Sequence, residues 1–296
     1  MTSTLLASVR DGDPWALHIH VDVFLVVAAL VIAYVEGIRR LGPSHAPAGA
    51  PYATRRQRVQ FGVGALVMFV FAFWPIHDIA EGYLFSVHMI QHTVFSLVVT
   101  PLLLLGTPSW LLAWLTRPLV PVLRKLCRPL PASLLFNGYI ALSHAAGFVN
   151  FVSSHEVPHF LAHVALVTTA AVMWLPVVHD LPGIPTMSSP VKMLYLFGQS
   201  ILPNVPTAFL AFAETPIYQW YALAPRISGM SAVEDQQAAG AFMKVGGTVI
   251  IWTTIVVMFF RWYQRSERDQ GDVLTWDDVE RELAKSPARE EPVPNP

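Results

Sequence analysis

Long runs almost without charge constrain this chain more than any other feature. Seven such runs of ~18–22 residues fall at about 20–38, 59–76, 84–105, 132–150, 157–178, 191–212 and 239–261. A helix of ~20 residues crosses the ~30 Å hydrocarbon core of a bilayer. Within that core a helix satisfies its own backbone, whereas a lipid-exposed loop does not. Only 13% of the residues are charged, against ~25% in a soluble domain. The expected fold is an all-α integral membrane protein, a bundle of about seven transmembrane helices in residues 1–263. A polar cytoplasmic tail, 264–296, follows.

The cations orient the bundle. Sixteen of the nineteen Lys and Arg residues, including Arg39, Arg40, Arg55, Arg56, Arg58, Arg124, Lys125 and Arg128, fall on one side of the expected spans. That side is expected to be cytoplasmic, which puts the N-terminus outside and the C-terminus inside. Only Arg10, Arg226 and Lys244 fall on or near the other side. The N-terminus has no basic region followed by an apolar core, so the first span is expected to act as an uncleaved insertion signal. A net charge of −1 argues against a nucleic-acid partner. The single cysteine, Cys127, excludes a CxxC motif and an internal disulfide. HExxH, GxSxG and P-loop signatures are absent, and no enzymatic activity is expected.

Some segments depart from simple spans. Residues 108–128 mix Trp, Leu and cations between prolines and are expected to lie along the inner interface. Pro203-Asn204-Val205-Pro206 is expected to kink or break the sixth span, because proline removes a backbone donor and crowds the preceding turn. A short helix is expected over 274–285, and disorder at the end.

Nine of the eleven histidines fall on the outer side of this topology: His18, His20, His77, His88, His92, His144, His155, His159 and His163. His45 and His179 are the cytoplasmic ones. His88/His92 and His159/His163 are each spaced i,i+4 near the outer ends of spans three and five. Such a pair shares one helix face, ~6 Å apart along the axis. Imidazole is the commonest protein ligand for transition metals, and a buried polar side chain without a partner is costly. These four are the leading metal-ligand candidates, with His144 and His77 next. Gln91, Asp78, Asp235 and Met89 are candidates for the surrounding support, and Asp22 is a further carboxylate at the outer start of span one. His18, His20, His45, His155 and His179 are expected to hold their tips in interfacial water. An interhelical hydrogen-bond network is the competing explanation for the paired histidines. A haem between spans three and five is another, although ligands of the two-haem type repeat at ~13–14 residues rather than four.

The run His88-Met89-Ile90-Gln91-His92, followed by Thr100-Pro101 and a leucine run to Gly106-Thr107-Pro108, resembles the polytopic CtaG family. These are membrane assembly factors for haem–copper cytochrome c oxidase of the caa3 type. Met173-Trp174-Leu175-Pro176-Val177, Pro216-Ile217-Tyr218 with Tyr221-Ala222, and Asp235-Gln236-Gln237-Ala238-Ala239-Gly240 agree with it. The resemblance covers about residues 15–265. It implies a bacterial plasma-membrane protein that assists oxidase assembly, with oxidase subunits, the lipid bilayer and a periplasmic copper donor as partners. Copper is the implied ion, delivered to the oxidase. A membrane haem protein for electron transfer and a metal-free scaffold for oxidase subunits are the alternatives. A single-span copper chaperone with cysteine ligands shares the family's name, but this chain has neither that topology nor those cysteines.

Overall fold

The computed structural model describes residues 15–271 together with residues 276, 280, 281 and 284, and its described residues form helices and no strands. Arg10 and most of the expected 274–285 helix lie outside the described residues. Helix α1 spans Val21–His45. A capping box of Thr54 and Gln57 starts α2, Arg55–Ala72. Trp74-Pro75 interrupts the path, and α3, Ile76–Gly82, continues at 47° to α2. The third expected span is α4, Phe85–Val94, one π-helical turn, Phe95–Val99, and α5, Thr100–Gly106.

Pro101 explains that turn. It has no N–H to donate, so the ladder shifts register and the amide of Thr100 bonds the carbonyl of Phe95. The carbonyl of Ser96 is thereby released, and the indole of Trp174 donates to it at 2.9 Å. The Met-Trp-Leu-Pro-Val segment thus tethers span five to the bulge just beyond the first histidine pair.

Short helices α6, Ser109–Thr116, and α7, Val120–Leu126, cover the cationic connection and are too short to cross a bilayer. Helices α8, Pro129–Ser143, and α9, Ala146–Ser153, meet at 73° around His144. The fifth expected span is the unbroken α10, Glu156–Val178. The sixth breaks where its prolines predict. Helix α11, Ser189–Ile201, stops before Pro203, and α12, Asn204–Ala211, takes Pro206 into its first turn, where no donor is required. A four-residue helix, α13, Gln219–Ala222, sits in the connection that follows α12, and α14 runs Ala232–Gly271.

Among the described residues, four helical stretches are long and apolar enough to cross a membrane, or six if each bent pair is one span. This falls short of the seven expected, because the break at Leu202–Pro203 leaves two pieces of 13 and 8 residues. Phe24, Leu25, Ile32, Phe209 and Phe260 are exposed, which suits side chains facing lipid rather than water. Helices α2 and α5 pack backbone to backbone at Gly106, where an added Cβ would stand 2.3 Å from the amide nitrogen of Phe61. Gly240 serves α14 and α12 in the same way, its Cβ direction meeting the Ala211 nitrogen at 2.7 Å.

Candidate metal centre

Helices α3, α4 and α10 converge on one buried cluster. Glu81, His88, His159 and His163 each offer one ligand atom, and these atoms lie within 4.8 Å of one another. Glu81 Oε1 is 2.8 Å from His159 Nε2, 3.3 Å from His88 Nδ1 and 3.8 Å from His77 Nδ1. His163 Nε2 is 3.0 Å from His92 Nε2. Rings pack tilted and edge-on through the cluster, with centroids 4.2 Å apart for His88–His92 and 4.5 Å for His159–His163. The two i,i+4 pairs therefore face each other, a contact that their spacing alone leaves open, and a cavity of about 20 Å³ beside them is lined by all four. That is room for one ion or one water.

The donor set suits a transition metal. Glu81 is 5% exposed and His88 6%. Glu81 Oε1 stands in ion-pair contact with His88 Nδ1 and His159 Nε2, and all three atoms are buried without a regular hydrogen bond. A carboxylate buried in a dry interior needs a positive partner, which a protonated imidazole or a bound cation supplies. Around a tetrahedral ion with bonds of ~2.0–2.1 Å the ligand atoms stand ~3.4 Å apart. Binding would therefore draw the wider-spaced atoms together and open the 2.8 Å Glu81–His159 contact.

The remaining candidates separate into support and rim. Gln91 is fully buried and donates through Nε2 to the carbonyl of Phe71 at 2.7 Å, with His77 Nδ1 at 3.1 Å. His77 lies beside the cluster. Met89 packs with Phe85, Tyr218 and Tyr221 and lines the same cavity. Asp235 lies away from the histidines. Its two carboxylate oxygens accept from the amides of Phe85 and Ser86 at 2.8 and 3.1 Å, and from the Ser86 hydroxyl at 2.5 Å. Span seven thus caps the helix carrying His88 and His92 across 150 residues of sequence. Asp78 also points elsewhere. His18 Nδ1 contacts its Oδ2 at 2.9 Å, and His20 Nε2 contacts Oδ1. His18 and His20 are therefore tied to a buried carboxylate rather than simply wet. Asp22 is exposed. His144 sits at the α8–α9 bend; its Nδ1 donates to the Ile140 carbonyl at 2.6 Å, and its buried Nε2 has no partner. His155 is exposed and bonds locally to Ser154 and Phe151. His45 and His179 contact residues of the opposite connection, Trp114 and Ser109.

Glu81 is the candidate ligand that sequence reasoning missed. It stands four residues after His77, an i,i+4 pair of the kind already recognised, on a seven-residue helix created by the Pro75 break. The connection between α12 and α14 fixes it in place. Trp220 Nε1 donates to the Glu81 carbonyl at 2.9 Å, the Tyr221 hydroxyl to that of Ala80 at 2.9 Å and the Tyr218 hydroxyl to that of His144 at 3.0 Å. Gln236 and Gln237 hold the same loop through Ile217 and Ala213. The tyrosine and Asp-Gln-Gln segments thus form a scaffold around the cluster.

A family model described as cytochrome c oxidase caa3 assembly factor matches residues 32–265. Comparison with curated proteins and with solved structures finds no match.

Proposed function

The chain belongs to the caa3-type cytochrome c oxidase assembly factor family, and from that premise we propose that it holds copper in the Glu81–histidine pocket and delivers it to the oxidase. The convergence of the Glu81, His88, His159 and His163 ligand atoms, all within 4.8 Å of one another, carries this reading. His88, His159, His163 and Glu81 hold the ion, His92 adjoins them through His163, and His77 and Gln91 brace the carboxylate side. Imidazoles with one carboxylate suit copper and release it more readily than thiolates would, as cargo requires.

In this reading the chain crosses a bacterial inner membrane seven times, with the N-terminus and cluster outside and the C-terminus inside. It binds and transfers rather than catalyses. A periplasmic donor supplies copper, and oxidase subunits receive it. The close ring packing favours an ion over haem. Imidazole centroids 4.2–5.9 Å apart and a cavity of about 20 Å³ leave no slot for a porphyrin between two helices.

The test is made in cells lacking the chain. Wild type should restore copper to the oxidase, and the His88→Ala/His92→Ala variant, expressed at equal level, should leave oxidase subunits present but copper-poor. Full restoration of oxidase copper by that variant would favour the metal-free scaffold.

A further inference from the structure

The cluster is longer than one ion needs. Its four mutually close ligand atoms exclude His92, yet His92 Nε2 stands 3.0 Å from His163 Nε2. Each pair descends one turn along its helix, ~6 Å by i,i+4 geometry. The contacts follow that descent. His88 and His159 meet at the first level, with Glu81 against both. His92 and His163 meet at the second, with ring centroids 4.9 Å apart. Among the described residues, neither His92 nor His163 makes an ion pair with a carboxylate, whereas both first-level histidines pair with Glu81.

The geometry points to two ion positions, a first level of Glu81, His88 and His159 that takes the cupric ion and a second level of His92 and His163 that takes the cuprous ion. This rests on the reading that the pocket handles copper. A divalent ion in a dry interior needs an anionic ligand to offset its charge, and Glu81 supplies one. A second level built from neutral imidazoles suits the monovalent ion. Nitrogens across a linear two-coordinate ion stand ~4 Å apart at bonds of ~2.0 Å. The His92 and His163 nitrogens at 3.0 Å need to open by only ~1 Å. His163 belongs to both levels, its ligand atom lying within 4.8 Å of the Glu81 group while touching His92.

The test titrates the full-length protein in detergent with each ion separately. Cuprous ion is added without oxygen in competition with a chromophoric chelator, and cupric ion is followed by paramagnetic resonance. Glu81→Gln should weaken cupric binding at least ~10-fold and leave cuprous binding within a few-fold, and His92→Asn should do the reverse. Thermal unfolding checks both variants, with His92→Gln as the substitute if His92→Asn does not fold. Equal weakening of both ions by both substitutions would overturn the two-position arrangement in favour of one site. A wild type that binds neither ion would instead refute the copper reading beneath it.

Discussion

His163→Ala is expected to cost the protein more copper affinity than any other single histidine substitution. Its Nε2 belongs to the Glu81 group and touches His92, so its loss removes a direct ligand from both halves of the cluster. Loss of an outer-shell partner already costs ~10–100-fold in metal affinity, and a direct ligand should exceed that. The fold should survive. His163 is only partly buried and its polar contact is with another histidine, so its removal relieves one crowded imidazole. Chelator competition on the purified variant measures the effect, with helical content checked by circular dichroism. An affinity within threefold of wild type would remove His163 from the site.

The second large effect is structural. Gly106→Val should prevent α5 from seating on α2. The new Cβ would meet the amide nitrogen and Cα of Phe61 at 2.3 and 2.6 Å. These are backbone atoms, and no rotamer change moves them aside. Overpacking of this kind costs ~1–3 kcal/mol even where side chains can yield, and here the helices must separate. Separation would also break the bond from the Tyr34 hydroxyl to the Gly106 carbonyl, now 3.0 Å. The variant should unfold at markedly lower temperature in detergent or fail to accumulate. Gly138→Ala provides the contrast, because nothing lies within 4 Å of its Cβ position. It should be neutral or stabilising by up to ~1 kcal/mol, as expected for removing a helical glycine.

These two expectations also mark what the sequence could reveal. Hydropathy located the helices because lipid imposes a uniform requirement on every span. The histidine pairs were legible because i,i+4 spacing fixes a helix face whatever that face packs against. Which carboxylate serves the cluster was not legible. Asp78 and Glu81 lie three residues apart, and the short helix after Pro75 directs Glu81 to His88 and His159 while Asp78 meets His18 and His20. Asp235 follows the same pattern. Its place at the start of a helix was evident, but the amides it accepts belong to Phe85 and Ser86 on another helix. The Asp78 and Asp235 pairings depend on tertiary contacts across 58–150 residues, which local spacing does not encode. The break at Leu202–Pro203 was legible from proline chemistry; its consequence, two helices each too short to span alone, was not drawn from hydropathy averaged across the break.

The most direct test of the copper pocket is elemental analysis of the detergent-purified protein after copper loading, beside a His88→Ala/His92→Ala variant. The account predicts copper retained in roughly stoichiometric amount by the wild type and lost from the variant, with no Soret absorption in either. Equal copper in both, or copper in neither, would contradict it.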